Sequence, residues 1–324
     1  MDEIHIQQIE GFELGHAQST EGGTGCTVIL SKSGAVAGVD VRGGAPGTRE
    51  TDLLKSENLV QEVHGVFLSG GSAYGLSVGQ GVMNVLEQEG AGFNVEVAKV
   101  PIVPGAILFD LAVGASNIRP GEEMGEQAAL NALGHHFFES GNYGAGTGAS
   151  VGKILGFEKA MKGGLGHFAV QVGELKVGAV IAVNSFGDII DPTSGERLAG
   201  AYNREKKQFL YTESILLNNL NDSHANRFSE NTTIGTIITN ASMTKAEANK
   251  LASMAHDGLA VTMKPSHTFV DGDTLFTMST NEKKVDLNTL GYLFTYVVER
   301  AVINAVQSAE SAYGLLSYKE LQLR

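Results

Sequence analysis

Asn231-Thr232-Thr233-Ile234-Gly235-Thr236-Ile237-Ile238 follows a polar, turn-rich stretch (residues 200–230) and opens a β-branched run that predicts a buried strand. An Asn-Thr step at the mouth of a strand is a place where a chain can cut itself. The Thr232 hydroxyl would attack the Asn231 carbonyl, the acyl group would pass from nitrogen to oxygen, and water would release the ester. The new first residue, Thr232, would carry both a nucleophilic hydroxyl and a free α-amine. With an ordinary pKa of about 8, that amine can serve as base for its own hydroxyl. Such steps also occur simply as turns entering strands, so the weight of the reading rests on the rest of the chain.

The chain's 324 residues are enough for one large α/β domain or two small ones. No uninterrupted apolar run reaches the 18 or so residues of a membrane helix, and the acidic start Met1-Asp2-Glu3 is not a secretory signal. The single cysteine, Cys26, excludes an internal disulfide and fits a reducing, cytoplasmic setting. Beside a Val-Ile-Leu run it reads as a small core residue. A net charge of -13 without a dense basic tract argues against a nucleic-acid partner. The 42 glycines, against 6 prolines, lack collagen spacing, so they mark tight turns and close backbone approaches.

Taken in order, residues 1–40 read as a strand, a turn and a strand pair, with a turn at Lys32-Ser33-Gly34 between Cys26–Leu30 and Ala35–Asp40. Arg42 and Arg49, among glycines and acids, suit either a bound carboxylate or phosphate, or pairing with Asp40, Glu50 and Asp52. Val66 to Leu76 is a strand running through glycines into a helix that ends near Gly90. Its Gly-Gly-x-x-x-Gly spacing is not the dinucleotide fingerprint. Val100–Leu111 is apolar and buried, and 122–134 is a helix. Four glycines from Gly144 to Gly152 precede Lys153, but Ile154 follows it, which excludes a P-loop.

Two neighbouring strands run from Gly163 to Val183. Asn184 ends the second as an oxyanion donor or a strand cap. Residues 200–230 form the one clear linker. Thr244-Lys-Ala-Glu247 is a capping box for a helix to about Leu259, near whose end His256 reads as structural. Asp271 and Asp273, two apart on a strand, would point to one side; no ligand cluster completes a divalent-metal cage beside them. A final helix spans roughly Leu287 to Glu310.

Four stretches together resemble one family: Asp40-Val-Arg-Gly-Gly-Ala-Pro-Gly-Thr-Arg-Glu-Thr-Asp52, Leu68-Ser-Gly-Gly-Ser-Ala-Tyr-Gly-Leu76, Gly144-Ala-Gly-Thr-Gly-Ala-Ser-Val-Gly-Lys153 and Met254-Ala-His-Asp-Gly-Leu-Ala260. They look like the L-aminopeptidase/D-esterase family, which includes β-peptidyl aminopeptidases and nylon-oligomer hydrolases. The resemblance covers essentially the whole chain. It implies a single α/β domain over 1–324, a four-layer α-β-β-α sandwich similar to the N-terminal-nucleophile hydrolases but differently connected. It further implies self-cleavage into chains 1–231 and 232–324, homo-oligomeric assembly, and a small amide, peptide or ester substrate, with no cofactor and no metal.

Carried over by motif, Thr232 is the nucleophile, Asn184 stabilises the oxyanion, Lys153 lies near the nucleophile, and Asp271 and Asp273 orient it. One departure stands out. The aminopeptidase branch resembles Glu-x-Tyr-Asp where this chain has Ile107-Leu108-Phe109-Asp110. Ile107 replaces the glutamate that would receive a substrate's amino group, and Phe109 replaces a tyrosine that assists the oxyanion. This favours a less charged amide. The alternatives are an acyltransferase on the same scaffold, an uncleaved non-catalytic binding protein and, more distantly, a nucleotide-binding protein.

Overall fold

The computed structural model describes residues 1–219 and 231–323. Its strands and helices, in chain order, are β1 (Asp2–Ile4), β2 (Glu13–Ser19), β3 (Thr24–Val41), β4 (Thr48–Arg49), β5 (Glu62–Ser69), α1 (Val78–Gln88), β6 (Gly105–Ile107), α2 (Glu122–Leu133), β7 (Gly164–Val172), β8 (Leu175–Val183), β9 (Ile234–Ala241), α3 (Lys245–Thr262), β10 (Thr274–Lys283) and α4 (Leu287–Ser308). Short 3-10 turns, strand pairs and two small helices fill the connections. The end of the expected linker, 220–230, lies outside the described residues. Its beginning forms a strand pair, Tyr202–Asn203 with Gln208–Phe209, and a helix at Thr212–Asn218.

The ten strands pair in the order β1-β7-β8-β9-β10-β3-β5-β6-β4, with β2 also on β3. Neighbours are antiparallel except β9–β10 and β5–β6, which are parallel. The expected turn at Lys32-Ser33-Gly34 is absent: β3 runs unbroken through it. What the polar triplet marks is an irregularity. Gly34 has φ of +88°, and the register against β5 shifts between Leu30 and Ala35. Before this point one edge of β3 pairs with β2; beyond it β3 pairs with β10.

The alternation of side chains turns this continuous sheet into two layers. Ile29, Val66 and Leu68 share a buried cluster with Val180, Ala182, Ile234 and Ile238, the core between the layers. Their sequence neighbours point outward. Val28, Leu30 and Phe67 pack with Val78 and Val82 of α1 and Ala128 of α2. Ala179, Ile181 and Ile237 pack with Leu251 of α3 and Val297 and Val298 of α4. The result is the α-β-β-α arrangement, with period-2 strands buried on both faces.

Glycine permits the tight stacking of helices on the outer faces. A Cβ on Gly15 of β2 would lie 2.4 Å from Ala128 O of α2, and one on Gly166 of β7 would lie 2.0 Å from Ala301 O of α4. The Thr244–Glu247 capping box forms as expected and opens α3. Cys26 sits in the core, where burial pushes its thiol up to about 12 and leaves it inert. Among the described residues no helix is long and apolar enough to cross a membrane.

Candidate active site

Strand register brings most of the predicted residues together. β9 and β10 run parallel with Ile234 opposite Thr274, so the residues just upstream of each strand lie side by side, and Asn231 bridges to Asp271. β8 runs antiparallel to β9 with Ala182 opposite Ile234. Two residues further along β8 and two back from β9, Asn184 therefore stands opposite Thr232, whose N–H donates to Asn184 O at 3.0 Å. Asp271 and Asp273 precede β10 rather than lying within it. They reach the site from a loop.

The fifth residue comes from the glycine-rich turn. Gly152 adopts φ of +73° against the backbone of Gly200 and Ala201, where a side chain would collide, and a 3-10 turn, Lys153–Leu155, follows. Lys153 is buried, and its Nζ donates to Asn184 O at 3.0 Å and Asn184 Oδ1 at 2.8 Å. Burial pushes this lysine down to about 7, against the upward pull of Asp271, Asp110 and Asp273. Near neutral pH it can lose its proton. Two N–H bonds to Asn184 then leave the nitrogen lone pair free to take a proton.

Thr232 itself is 2% exposed. Its hydroxyl donates to the carbonyl oxygen of Asn231, the residue before it. The same oxygen accepts the Gly272 N–H at 2.8 Å. Asn231 N–H in turn donates to Val270 O at 3.0 Å. The Thr232 hydroxyl thus lies against the carbonyl of the preceding residue, and a backbone donor holds the same carbonyl oxygen. Asn184 shows a different set of contacts from the oxyanion role expected of it. Its Nδ2 donates to Phe109 O at 3.0 Å, while its Oδ1 accepts from Ser150 N at 2.9 Å and from Lys153.

Each carboxylate is held by three donors. Asp271 accepts from Thr268 N at 2.9 Å, Thr268 Oγ1 at 2.5 Å and Phe186 N at 3.3 Å. Burial, then the charge of Asp273, nonetheless push it up to about 6. Asp273 accepts from Thr233 N at 2.8 Å and from the backbone and ring of His267. Asp110, next to Phe109, is pushed up to about 6 by burial while accepting from Thr24 Oγ1 at 2.6 Å and Gly71 N at 2.7 Å.

Ile107 is buried in the outer core with Phe67 and Val78 and packs against Gly47. Phe109 is partly exposed and offers its carbonyl to the site. Arg42 pairs with Asp40 at 2.8 Å and also donates to Ser253, whereas Arg49 donates to Leu76 O at 3.3 Å; the loop-holding reading describes Arg42. His256 is buried within α3 and donates to Asp40 O at 3.0 Å.

The sequence reading passed over three groups. The Gly272 amide is a backbone donor with no side-chain signature, though a glycine between two aspartates hints at close approach: a Cβ there would lie 2.7 Å from Thr232 Oγ1. His267 is a lone loop histidine. Lys162, fully buried, donates to Gly146 O at 2.8 Å and Ala149 O at 3.0 Å and so braces the turn that delivers Ser150 and Lys153. Burial pushes it down to about 7. Among the described residues no group of three His, Cys, Asp or Glu is placed to hold a metal ion.

Comparison with known proteins gives a consistent picture. Peptidase family S58 matches residues 5–318. An uncharacterised aminopeptidase of Mycobacterium leprae is 37% identical, with 97% of this chain and 92% of that protein covered. The 6-aminohexanoate-oligomer endohydrolase of an Agromyces strain is 32% identical over 86% of this chain and 75% of its own length. Among solved structures, the L-aminopeptidase D-Ala-esterase/amidase of Ochrobactrum anthropi, described as a variant of the Ntn hydrolase fold, superposes with a TM-score of 0.69. It is 17% identical, and 98% of this chain and 92% of that chain are covered. At that identity the likeness speaks for the fold alone.

Proposed function

The chain belongs to peptidase family S58, a family of aminopeptidases and amidohydrolases, and from that premise we propose that it cuts itself between Asn231 and Thr232 and then hydrolyses a small amide, peptide or ester through an acyl group on Thr232. The observation that carries this reading is the pair of contacts on one oxygen: the Thr232 hydroxyl and the Gly272 N–H both donate to Asn231 O.

In the processing step, Thr232 Oγ1 bonds to the Asn231 carbonyl carbon, and its proton passes to the unprotonated Lys153. The oxyanion is held by Gly272 N–H. The carbon–nitrogen bond then breaks, the Thr232 nitrogen takes the proton, and an ester joins Asn231 to Thr232 Oγ1. Water cleaves that ester, leaving the Asn231 carboxylate and a free α-amine on Thr232. In turnover a substrate carbonyl takes the place of Asn231 O. The α-amine, which inherits the contact with Asn184 O, and Lys153 manage the hydroxyl proton. The leaving amine departs protonated, and water releases the acid. Asn184 holds Lys153 and the Thr232 nitrogen on one carbonyl; Asp271 and Asp273 fix the loop and strand on either side.

The substrate class follows from what the carboxylates already do. Asp110, Asp271 and Asp273 are each engaged by protein donors, and Ile107 is apolar and buried. None offers an open anionic seat for a substrate ammonium. The reading is therefore an amide whose acyl part is uncharged near the scissile bond. Homo-oligomeric assembly in a reducing cytoplasm, with the whole chain as one domain, belongs to the same proposal. Intact mass of freshly purified protein, followed over days, tests it. Two species meeting at 231/232 are expected, and a chain that stays whole would remove Thr232 as nucleophile.

A further inference from the structure

The loop between α3 and β10 holds one residue in a conformation that side chains rarely adopt. His267 has φ of 54°, in the left-handed region, which few residues other than glycine enter and histidine enters more readily than most. In that conformation it donates twice to a single oxygen. Its backbone N–H lies 3.0 Å, and its ring Nδ1 2.8 Å, from Asp273 Oδ2. The other oxygen, Asp273 Oδ1, accepts the Thr233 N–H at 2.8 Å. Asp273 is thus a clamp between His267 and the residue that follows Thr232.

The partners also set the tautomers. An ionised carboxylate oxygen only accepts, so His267 Nδ1 carries the hydrogen, and in the neutral ring Nε2 is the bare nitrogen. That nitrogen is buried and meets no partner among the described residues. The ring packs edge-on against His256, with centroids 4.8 Å apart and planes at 72°. His256 donates from Nε2 to Asp40 O, so its own Nδ1 is likewise bare. One histidine is fixed by α3 and the end of β3, and it fixes the ring of the other.

We propose that His267 is a positioning residue for Thr232: acting through Asp273, it holds the Thr233 amide and so the backbone that presents the Thr232 hydroxyl. This rests on the reading of Thr232 as nucleophile. It carries a distinctive expectation. Before the cut Thr232 is tethered on both sides, by Asn231 and by Thr233. Afterwards only the Thr233 side remains covalent, and beside the contact of the Thr232 nitrogen with Asn184 O the Thr233–Asp273–His267 clamp is what holds that side. Loss of the His267 donor should therefore harm turnover more than it harms processing.

The test compares two variants in the full chain. His267→Phe keeps an aromatic ring against His256 and removes the ring donor, leaving the backbone one. His267→Asn tolerates the left-handed conformation and places an amide N–H where Nδ1 stood. Splitting is timed by intact mass, and kcat and KM of the split enzyme are measured with p-nitrophenyl acetate, with the acetyl adduct located on the 232–324 chain. His267→Phe should lose about tenfold to a hundredfold in kcat with KM little changed and slow splitting by less, while His267→Asn stays within a few-fold of wild type. If His267→Phe does not fold, His267→Gln, whose amide reaches only to the Nε2 position, replaces it. Wild-type kcat in the variant without the ring donor would overturn the proposal, as would an asparagine variant as damaged as the phenylalanine one. Failure of the nucleophile reading appears separately, in a wild-type chain that neither splits nor carries an acetyl group on Thr232.

Discussion

Gly272→Ala adds a single carbon beside the atom that matters most. The new Cβ would stand 2.7 Å from Thr232 Oγ1, 2.8 Å from Ala45 O and 3.2 Å from Pro46 Cα. Two of these three neighbours belong to the main chain of the Ala45–Pro46 loop, whose Ala45 N–H is itself tied to Asp271 O at 2.8 Å, so the loop yields poorly and the hydroxyl must move. To regain an ordinary contact of 3.4 Å, Oγ1 must retreat by about 0.7 Å. Gly272 does not have a left-handed φ and alanine retains its N–H, so neither a forbidden conformation nor a missing donor to Asn231 O confuses the result, while the 2.8 Å approach to Ala45 O adds a backbone shift that the melting curve reads. Displacement of a reacting group by about 1 Å costs on the order of a hundredfold in rate, whereas overpacking of this kind costs about 1–3 kcal/mol of stability. The expected outcome is a folded chain, with a modestly lowered Tm, that splits between Asn231 and Thr232 about a hundred times more slowly. A mass time course on freshly purified protein reads the rate, and a melting curve reads the fold. Splitting at wild-type speed would refute the argument that Thr232 Oγ1 acts from the position it occupies here.

Other outcomes follow from the same geometry. Thr232→Ala should remain one uncut chain without turnover while Thr232→Ser still splits, and a splitting alanine variant would sink the mechanism. The splitting rate should climb between about pH 6 and 7, as Asp271 (about 6) and then Lys153 (about 7) lose their protons; Lys153→Arg, which cannot deprotonate, should lose the part of the rise near pH 7. The same groups act oppositely on stability. Lys153, depressed from 10.5, contributes stability that rises with pH from about 7 to 10.5, whereas Asp271, raised from 3.8, contributes stability that falls from 3.8 to about 6. Urea midpoints of Lys153→Met and Asp271→Asn across pH would expose each part. Phe109→Tyr, placed beside the carbonyl that holds Asn184, should raise turnover of simple anilides, and unchanged kinetics would count against the assignment of that position.

Much of this architecture was legible because burial writes itself into alternation. The apolar runs of β7, β8 and β9 and the Thr244–Glu247 cap of α3 each carry a local signal that tertiary contacts reinforce. The turn expected at Lys32-Ser33-Gly34 misled for a physical reason: an exposed bulge in a strand has the same polar, glycine-marked composition as a turn, and only the pairing of Ala35 to Val41 with β5 and β10 tells them apart. At the candidate site, Thr232 is singled out by its Asn-Thr step and, with Asn184, Lys153, Asp271 and Asp273, by motif resemblance, and strand register, a turn and a loop bring the five together. The Gly272 amide could not be found that way, because a backbone N–H is common to nearly every residue and acquires meaning only from what it faces. His267 was invisible for a related reason: its partner Asp273 is close in sequence, but the contact that gives it meaning runs on to the amide of Thr233, at the mouth of another strand.

A cut at 231/232 would divide the protein along an unusual line. The shorter piece would begin at Thr232 and carry β9 and β10, which lie in the middle of the sheet between β8 and β3, together with α3 and α4. Both edges of this two-strand insert are zipped to the longer piece, and its helices cover the same outer core. Severing the peptide bond therefore leaves a heterodimer whose interface is a section through a folded interior. Folding, unimolecular before the cut, becomes an association afterwards. Its apparent stability should then depend on protein concentration through mass action, and once unfolded and diluted the two pieces must find each other again. Such a cut would turn a refolding that one chain completes by itself into one that needs two pieces to meet.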